Sequence, residues 1–232
     1  VMSYSKSRAR RDFETESNKL LKLAKKISYK SSPLTYDHKQ LINQSCIFLL
    51  SARIEDYTKN LIEDLIYSYR INGATLQQIP KNIRTKVLLD KQVNHYRTYY
   101  NSSDEKVLLK NIAIDNSFYQ LLDDTIAFST QVHPSNIIGT NKYPSIKNLK
   151  ILYNRLGIKD IINELHRKAK KNISTAIESF LSLRESIAHQ GAPTITFNDV
   201  ERHFKNINEA INYLDRVVYS HIKKESGENY WT

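Results

Sequence analysis

Glycine and proline are scarce along this chain, and that scarcity limits the folds open to it more than any other feature. The 232 residues include only 5 Gly and 5 Pro, the residue types that most often form turns and interrupt helices. The long stretches between them carry apolar residues at spacings of three and four, the period of an amphipathic helix. The sequence therefore predicts an all-α fold.

The apolar periodicity predicts a helical bundle with one helix much longer than the others. A first helix is expected over residues 12–29, and a long central helix over residues 37–71. Asn72 and Gly73 follow the central helix, and this pair is typical of a helix C-terminus. We expect the central helix to form the middle of the bundle.

The second half of the chain predicts further helices with recognisable start signals. Pro144 and Asp160 are expected to precede two of them. Residues 161–189 form one helix or two, because a basic run interrupts the apolar pattern. The last helix is expected after Thr196, with Asn198 or Asp199 as its N-cap.

Two regions are less regular than the rest. Residues 74–142 predict shorter helices over 83–93 and 107–126, separated by the polar stretch 98–104, and we interpret them as an insertion or cap. The polar tail, residues 225–232, is expected to fray. No repeat or clear linker divides the chain, so residues 1–232 are predicted to form a single domain.

The composition indicates a soluble protein with a polyanionic partner. Lys and Arg number 35 against 24 Asp and Glu, a formal net charge of +11, which favours RNA or DNA. No apolar run approaches the roughly 20 residues of a membrane helix, and the N-terminus lacks a secretory apolar segment. We therefore expect a cytoplasmic protein without a membrane partner. The single cysteine, Cys46, lies in an apolar stretch and is expected to be a buried thiol.

Several kinds of chemistry find no support in the sequence. The five glycines are isolated from one another, so a phosphate-binding P-loop is excluded. No His-Glu-x-x-His pair exists, and a lone cysteine cannot build a thiolate zinc site. Gly-x-Ser-x-Gly is absent as well. The sequence predicts neither a metal nor a cofactor.

One polar pattern near a helix end does suggest chemistry. Residues 183–191 read Leu-Arg-Glu-Ser-Ile-Ala-His-Gln-Gly, which places Arg184 and His189 five positions apart. Arg216 and His221 share this spacing, but they lie inside the last helix with no break behind them, so we interpret that second pair as accidental. The alternative for the first pair is a surface arginine and a histidine that the helix macrodipole favours.

The Arg184–His189 segment resembles the Arg-x(4–6)-His signature of the HEPN superfamily of helical proteins. Residues 52–57, 143–145 and 156–158, and the order of motif helix, turn and long final helix, are most similar to the larger HEPN proteins of the RiboL-PSP or related type. The resemblance covers residues 37–222, least clearly over 74–142. Glu185 departs from the pattern, because HEPN nucleases often place Asn, Asp or His directly after the arginine.

The resemblance implies a metal-independent endoribonuclease, a toxin or phage-defence effector that an antitoxin or another defence-system protein can accompany. His189 would act as general base or general acid, and Arg184 would hold the scissile phosphate. The reaction needs the RNA 2′-hydroxyl and leaves a 2′,3′-cyclic phosphate. Glu185 is an auxiliary candidate, since its carboxylate either orients the Arg or His side chain or repels the RNA phosphate.

The spacing of the pair raises a geometric problem. Five residues of α-helix rotate the two side chains to about 140° apart, so they do not share one face. They converge if the helix unwinds near Gln190 and Gly191, or if two copies meet across a two-fold axis. The family resemblance implies the second arrangement, a homodimer whose motifs face each other.

Other charged and aromatic residues are candidates for RNA contacts. The run containing Arg167, Lys168, Lys170 and Lys171 either contacts phosphates or forms a solvated helix face. Residues 95–100 interleave aromatic rings with Arg97, as a base-stacking surface does. Glu55, a further auxiliary candidate, lies with Asp56 beside apolar neighbours on the central helix. A buried carboxylate there is expected to need a cationic partner, either Arg184 or an ordinary ion pair elsewhere.

Two alternatives to the nuclease remain open. A catalytically silent HEPN-like module would bind RNA or a protein partner as a scaffold. A basic helical DNA-binding protein ranks lower, because no recognition-helix pattern with a tight glycine turn is present.

Overall fold

The computed structural model describes residues 4–29, 31–128, 132–139, 145–189 and 193–231. Within these ranges the chain forms ten α-helices and no strand beyond an isolated bridge between Thr75 and Ala127. The all-α prediction is confirmed. None of the described helices combines the length and the apolar character that crossing a bilayer requires.

Two long helices and a third that reverses their direction form the centre of the bundle. α2 spans Tyr36–Ile71, and α10 spans Phe197–Glu225. They run in the same direction, as two hydrogen bonds show. Asn43 bonds to Ile195 near the starts of the two helices, and Tyr69 bonds to Ser226 near their ends. α1, Arg8–Ser28, packs antiparallel on both. The predicted central helix is confirmed within one residue.

The caps of these helices explain where they begin. The Ser7 hydroxyl accepts a hydrogen bond from the Arg10 amide, so α1 starts before the predicted residue 12. The N-cap of α10 is Thr196 itself. Its hydroxyl accepts from the Asp199 amide while the Asp199 carboxylate accepts from the Thr196 amide. The predicted cap at Asn198 or Asp199 was therefore wrong, because Asp199 is the third residue of a capping box.

Three shorter helices complete the main body. α7 spans Ile146–Arg155, α8 spans Ile161–Ala169 and α9 spans Ser174–His189. Residues 161–189 thus form two helices, since α8 ends at Lys170, whose φ of 54° is left-handed. The Asp160 carboxylate caps α8 at 3.1 Å from the Asn163 amide, as predicted. Pro144 lies outside the described residues.

The middle of the chain differs most from its prediction. α3 spans Lys81–Ser102, so residues 98–102 are helical and the predicted polar break shrinks to the two residues that follow. α4 spans Glu105–Ile114, α5 spans Asn116–Gln120 and α6 spans Pro134–Ile138. Helix propensity and the αL cap at Ser103 outweighed the turn-forming composition of the stretch.

A buried carboxylate joins the chain termini to the bundle. Asp215 is fully buried and accepts hydrogen bonds from Tyr4, from Ser7 and from Tyr57, the last at 3.2 Å. Burial, together with the nearby carboxylate, raises the pKa of Tyr57 well above its usual value. Hydroxyl groups and the Ser7 backbone amide, rather than a cation, thus satisfy the Asp215 carboxyl oxygens.

The C-terminal tail is packed up to residue 231, so the predicted fraying was wrong. A short 3₁₀ turn over Glu228–Tyr230 buries the Tyr230 ring against Tyr69. The Trp231 indole donates to the Ser5 carbonyl at 2.9 Å. The two aromatic side chains outweighed the polar composition of the tail.

Candidate functional site

The segment that follows α9 is bound to the first turns of α2. The amide of Asn43 donates to the Ile195 carbonyl at 2.9 Å, and that of Gln44 donates to the Pro193 carbonyl at 3.4 Å. The Gln40 side chain accepts from the Ile195 amide at 2.8 Å. The C-terminal end of α9 is therefore attached to the end of the bundle where α2 begins, which we call the motif end.

Arg184 occupies an unusual environment on α9. Its guanidinium lies 5.7 Å from the centroid of the Phe48 ring of α2, and the side chain is half-buried. The Nε atom is buried and has no hydrogen-bond partner, and the side chain forms no ion pair within the described ranges. A buried donor without a partner is uncommon in folded proteins and calls for an explanation. An anionic ligand would provide one, because a guanidinium binds phosphate oxygens through several donors at once.

His189 is the last residue of α9, and its imidazole is exposed to solvent. α9 is continuous from Ser174 to His189, so the Arg184 and His189 side chains point about 140° apart. No unwinding brings them together within the motif, and Gln190 and Gly191 lie outside the described residues. A single chain therefore presents the two groups on different faces of one helix.

Glu185 lies on the same face as His189. The two residues are four apart on α9, a spacing that places their Cβ atoms about 5–6 Å from each other. Both side chains are exposed, and no hydrogen bond joins them. The Glu185 side chain therefore leaves α9 within about 40° of the His189 side chain and about 100° from that of Arg184.

Glu55 does not occupy the buried position expected for it. Its side chain is exposed, and no ion pair joins it to Arg184. It lies two helical turns beyond Phe48 on the same face of α2, about 10 Å further along the axis. Its neighbour Asp56 pairs with Arg53 at 2.9 Å, the ordinary ion pair that was the alternative. The predicted pairing with Arg184 was wrong, because water solvates an exposed carboxylate without help from a cation.

The predicted basic run lies at the opposite end of α9 from His189. The helix rise from Ser174 to His189 amounts to about 22 Å. Arg167 pairs with Glu164, and Lys171 pairs with Glu209 at 2.5 Å, while Lys168 and Lys170 are exposed. Arg167 and Lys168 also line an open cleft of about 510 Å³ between α8 and the C-terminal part of α10. The structure does not bring these four residues to the motif.

Other basic and aromatic residues do lie at the motif end, and the sequence analysis missed them as candidates. Lys25 and Lys26 form the exposed last turn of α1. Tyr29 and Tyr36 follow at the α1–α2 junction, with 53% and 63% of their surfaces exposed, and Lys39 donates to the Tyr29 carbonyl at 3.2 Å. The short connection between the two predicted helices was the signal that could have placed them there, because a short connection makes neighbouring helices antiparallel.

The second Arg–His pair, Arg216 and His221, makes contacts within the fold. The Arg216 guanidinium lies 4.4 Å from the centroid of the Tyr4 ring, and its Nε donates to Asn212 at 3.0 Å. His221 is 2.9 Å from the Leu156 carbonyl, to which its Nε2 donates. Both side chains therefore have hydrogen-bond partners from the fold itself, whereas the buried Nε of Arg184 has none.

Cys46 is buried as predicted and takes no part in this site. Burial raises the pKa of its thiol to about 11, so the group stays protonated at neutral pH.

Comparison with known proteins identifies one related family. The family model described as RiboL-PSP-HEPN matches residues 11–220. No curated protein and no solved structure matches the chain significantly. The match includes both members of the Arg184–His189 pair and confirms the resemblance drawn from the sequence.

Proposed function

The chain belongs to the RiboL-PSP-HEPN family, and from that premise we propose that it is a metal-independent endoribonuclease acting as a toxin or phage-defence effector. HEPN domains are often ribonucleases. The observation that carries the proposal is the Arg184 guanidinium, which rests on Phe48 with its buried Nε unpartnered, on the same helix as the exposed His189.

The proposed reaction uses these two side chains. Arg184 binds the oxygens of the scissile phosphate and stabilises the charge that develops on them. The RNA 2′-oxygen attacks phosphorus and loses its proton, while the bond from phosphorus to the 5′-oxygen breaks and that oxygen gains a proton. His189 carries out one of these transfers, and water at its exposed ring carries out the other. The products are a 2′,3′-cyclic phosphate and a 5′-hydroxyl.

A homodimer would bring the pair together. Because α9 is a continuous helix, one chain holds Arg184 and His189 on different faces. Two copies that meet at their motif ends would place Arg184 of one chain near His189 of the other, around one RNA strand. Each composite site then takes one group from each copy.

The motif end offers additional RNA contacts. Lys25, Lys26 and Lys39 supply positive charge, and the exposed rings of Tyr29 and Tyr36 supply surfaces on which bases stack. The run from Arg167 to Lys171 precedes α9, whose rise from Ser174 to His189 is about 22 Å, so it would contact phosphates several nucleotides away from the cut.

The test is cleavage of a labelled single-stranded RNA, with EDTA present, beside a DNA of the same sequence. The proposal predicts that only the RNA is cut, that the fragments end in cyclic phosphate, and that Arg184→Ala abolishes cutting while leaving helical content unchanged. An RNA with one 2′-deoxy nucleotide should resist cutting at that position alone. Cutting of the DNA, or a requirement for added metal, would contradict the proposal.

A catalytically silent RNA-binding scaffold is the second candidate, and Glu185 favours it. The carboxylate lies on the face of His189, where an RNA phosphate has to approach, and like charges repel. The scaffold predicts RNA binding without cleavage in the wild type. Glu185→Asn separates the two candidates, because the nuclease should retain or gain activity in this variant, whereas the scaffold should stay inactive.

A further inference from the structure

The exposed apolar side chains are concentrated in one part of the chain. Of the fifteen large hydrophobic side chains that are exposed within the described residues, eight lie between residues 89 and 122. This segment comprises the C-terminal part of α3, α4, α5 and the start of the following turn, and we call it the arm. No residue of α4 or α5 is buried. A cluster of this kind usually marks an interaction surface.

The arm meets the core near its two ends and leaves the rest of its surface uncovered. α3 packs into the core through Ile83 and Val87, no residue of α3 beyond Val87 is buried, and the chain returns to the core at the buried Leu121. The arm is held together by its own contacts. His95 is 3.1 Å from the Asp115 carboxylate, and Lys91 is 3.6 Å from the same group. It is thus a preformed helical hairpin with an uncovered outer side.

Four of these side chains form a stripe along α3. Leu89, Val93, Tyr96 and Tyr100 follow one another at spacings of four, three and four, and 39% to 77% of each side chain's surface is exposed. This spacing is the heptad pattern by which two helices pack along a common seam. No other part of the described chain covers the stripe.

The charges beside the stripe are complementary to those of a second copy. In an antiparallel pair with its axis between Val93 and Tyr96, Leu89 of one copy lies opposite Tyr100 of the other. Asp90 and Arg97 occupy equivalent flanking positions, so each Asp90 approaches the other copy's Arg97. Arg97 is exposed and forms no ion pair within the described part of its own chain.

The net charge of this region does not favour nucleic acid. The arm, residues 89–122, carries four Lys and Arg against four Asp and Glu, although the whole chain has a formal net charge of +11. An RNA-binding surface would be expected to share the positive excess. A nearly neutral, apolar surface with alternating charges instead suits a copy of itself.

We propose that the exposed stripe of α3 is a self-association surface that packs antiparallel against the same stripe of a second copy. The arm is attached at the C-terminal end of α2, whereas the motif end lies at its N-terminal end. This contact is therefore separate from the composite nuclease site and does not depend on it.

The test is sedimentation equilibrium of the full chain, with Tyr96→Glu and the matched control Tyr67→Glu. Tyr67 lies on α2 outside the arm, with 62% of its side-chain surface exposed. We expect Tyr96→Glu to weaken association at least about 30-fold and to lower the mass about twofold at micromolar concentration. Tyr67→Glu should leave the mass unchanged. Circular dichroism confirms that both variants keep their helices.

A charge-reversal pair tests the register. Arg97→Glu should weaken association, and adding Asp90→Arg to it should restore much of the loss. Asp90 also bonds to Lys86 on its own helix, so Asp90→Arg alone serves as a control.

Three outcomes would overturn the proposal: a monomeric wild type, an equal loss of mass in Tyr67→Glu, or an unchanged mass in Tyr96→Glu. If the mass is unchanged and RNA affinity falls, the stripe is assigned to base stacking instead. RNA cleavage by Tyr96→Glu reports separately on the nuclease, because the arm is not part of that site.

Discussion

The chain contains two Arg–His pairs with the same spacing, and their surroundings differ. Arg184 keeps a buried Nε without a partner, and His189 faces solvent at a helix end. Arg216 rests on Tyr4 and bonds to Asn212, while His221 bonds to the Leu156 carbonyl. The fold thus satisfies the second pair and leaves the first available for a ligand. The spacing of an Arg–His pair therefore does not indicate a functional site by itself. The side chains that the fold places around each pair decide whether it can bind a ligand.

The largest expected difference between the pairs is catalytic. His189→Ala should lower the rate of RNA cleavage about 10³-fold, because a general acid–base group is lost. His221→Ala should change it less than about twofold. Rates are measured on one labelled RNA under single-turnover conditions. Equal losses in both variants would break the comparison.

The next effect is on stability and lies beside the second pair. Asp215→Ala should lower the free energy of unfolding by about 3 kcal/mol, because it leaves several buried donors from Tyr4, Ser7 and Tyr57 without their acceptor. Glu185→Ala, an exposed change beside the first pair, should alter it by less than about 0.5 kcal/mol. Urea unfolding measures the change in both variants. Similar losses in the free energy of unfolding would contradict the difference in stability that we expect between the two regions.

A smaller effect concerns RNA affinity. Replacing Lys25 and Lys26 with Ala should weaken binding of single-stranded RNA several-fold. The slope of the logarithm of the binding constant against the logarithm of the salt concentration should become shallower by about 1.4. The same change at Lys168 and Lys170, far from the motif end, should have the lesser effect on a short RNA. Binding is titrated at several salt concentrations using a non-cleavable 2′-deoxy substrate. A greater loss at Lys168 and Lys170 would move the RNA path to the α8 end.

The smallest expected effect is on the pH dependence of stability. Burial lowers the pKa of His203, which packs on Phe180 where α9 meets α10. The unfolded chain therefore binds a proton at a higher pH than the folded chain does. Stability should fall as the pH decreases below about 6.5. His203→Phe should reduce that decline in urea unfolding measured between pH 7 and pH 5, and an unchanged decline would contradict this assignment.

The sequence predicted those parts of the fold that depend on local signals. The span of α2, the cap at Asp160 and the burial of Cys46 follow from apolar periodicity and short-range hydrogen bonds. The packed tail could not be predicted in the same way, because it depends on Tyr230 meeting Tyr69 across 161 residues of chain. Long-range contacts of this kind leave no periodic signal.

The candidate site was predictable only in those features that depend on local sequence. The residues of the motif and their spacing are visible in the sequence. The stacking of Arg184 on Phe48, the exposure of Glu55 and the distance of the basic run from His189 depend on how separate helices pack. The lysines and tyrosines at the motif end were missed because α1 and α2 bring them there from a part of the chain far from the motif.

Mixing two inactive variants tests the central claim most directly. Arg184→Ala and His189→Ala chains are combined in equal amounts, allowed to exchange subunits and assayed on RNA. Half of the dimers are then mixed, and each has one complete composite site, so activity should recover to about a quarter of the wild type. If native mass spectrometry shows mixed dimers and activity stays at the sum of the two separate variants, the shared Arg184–His189 site is contradicted.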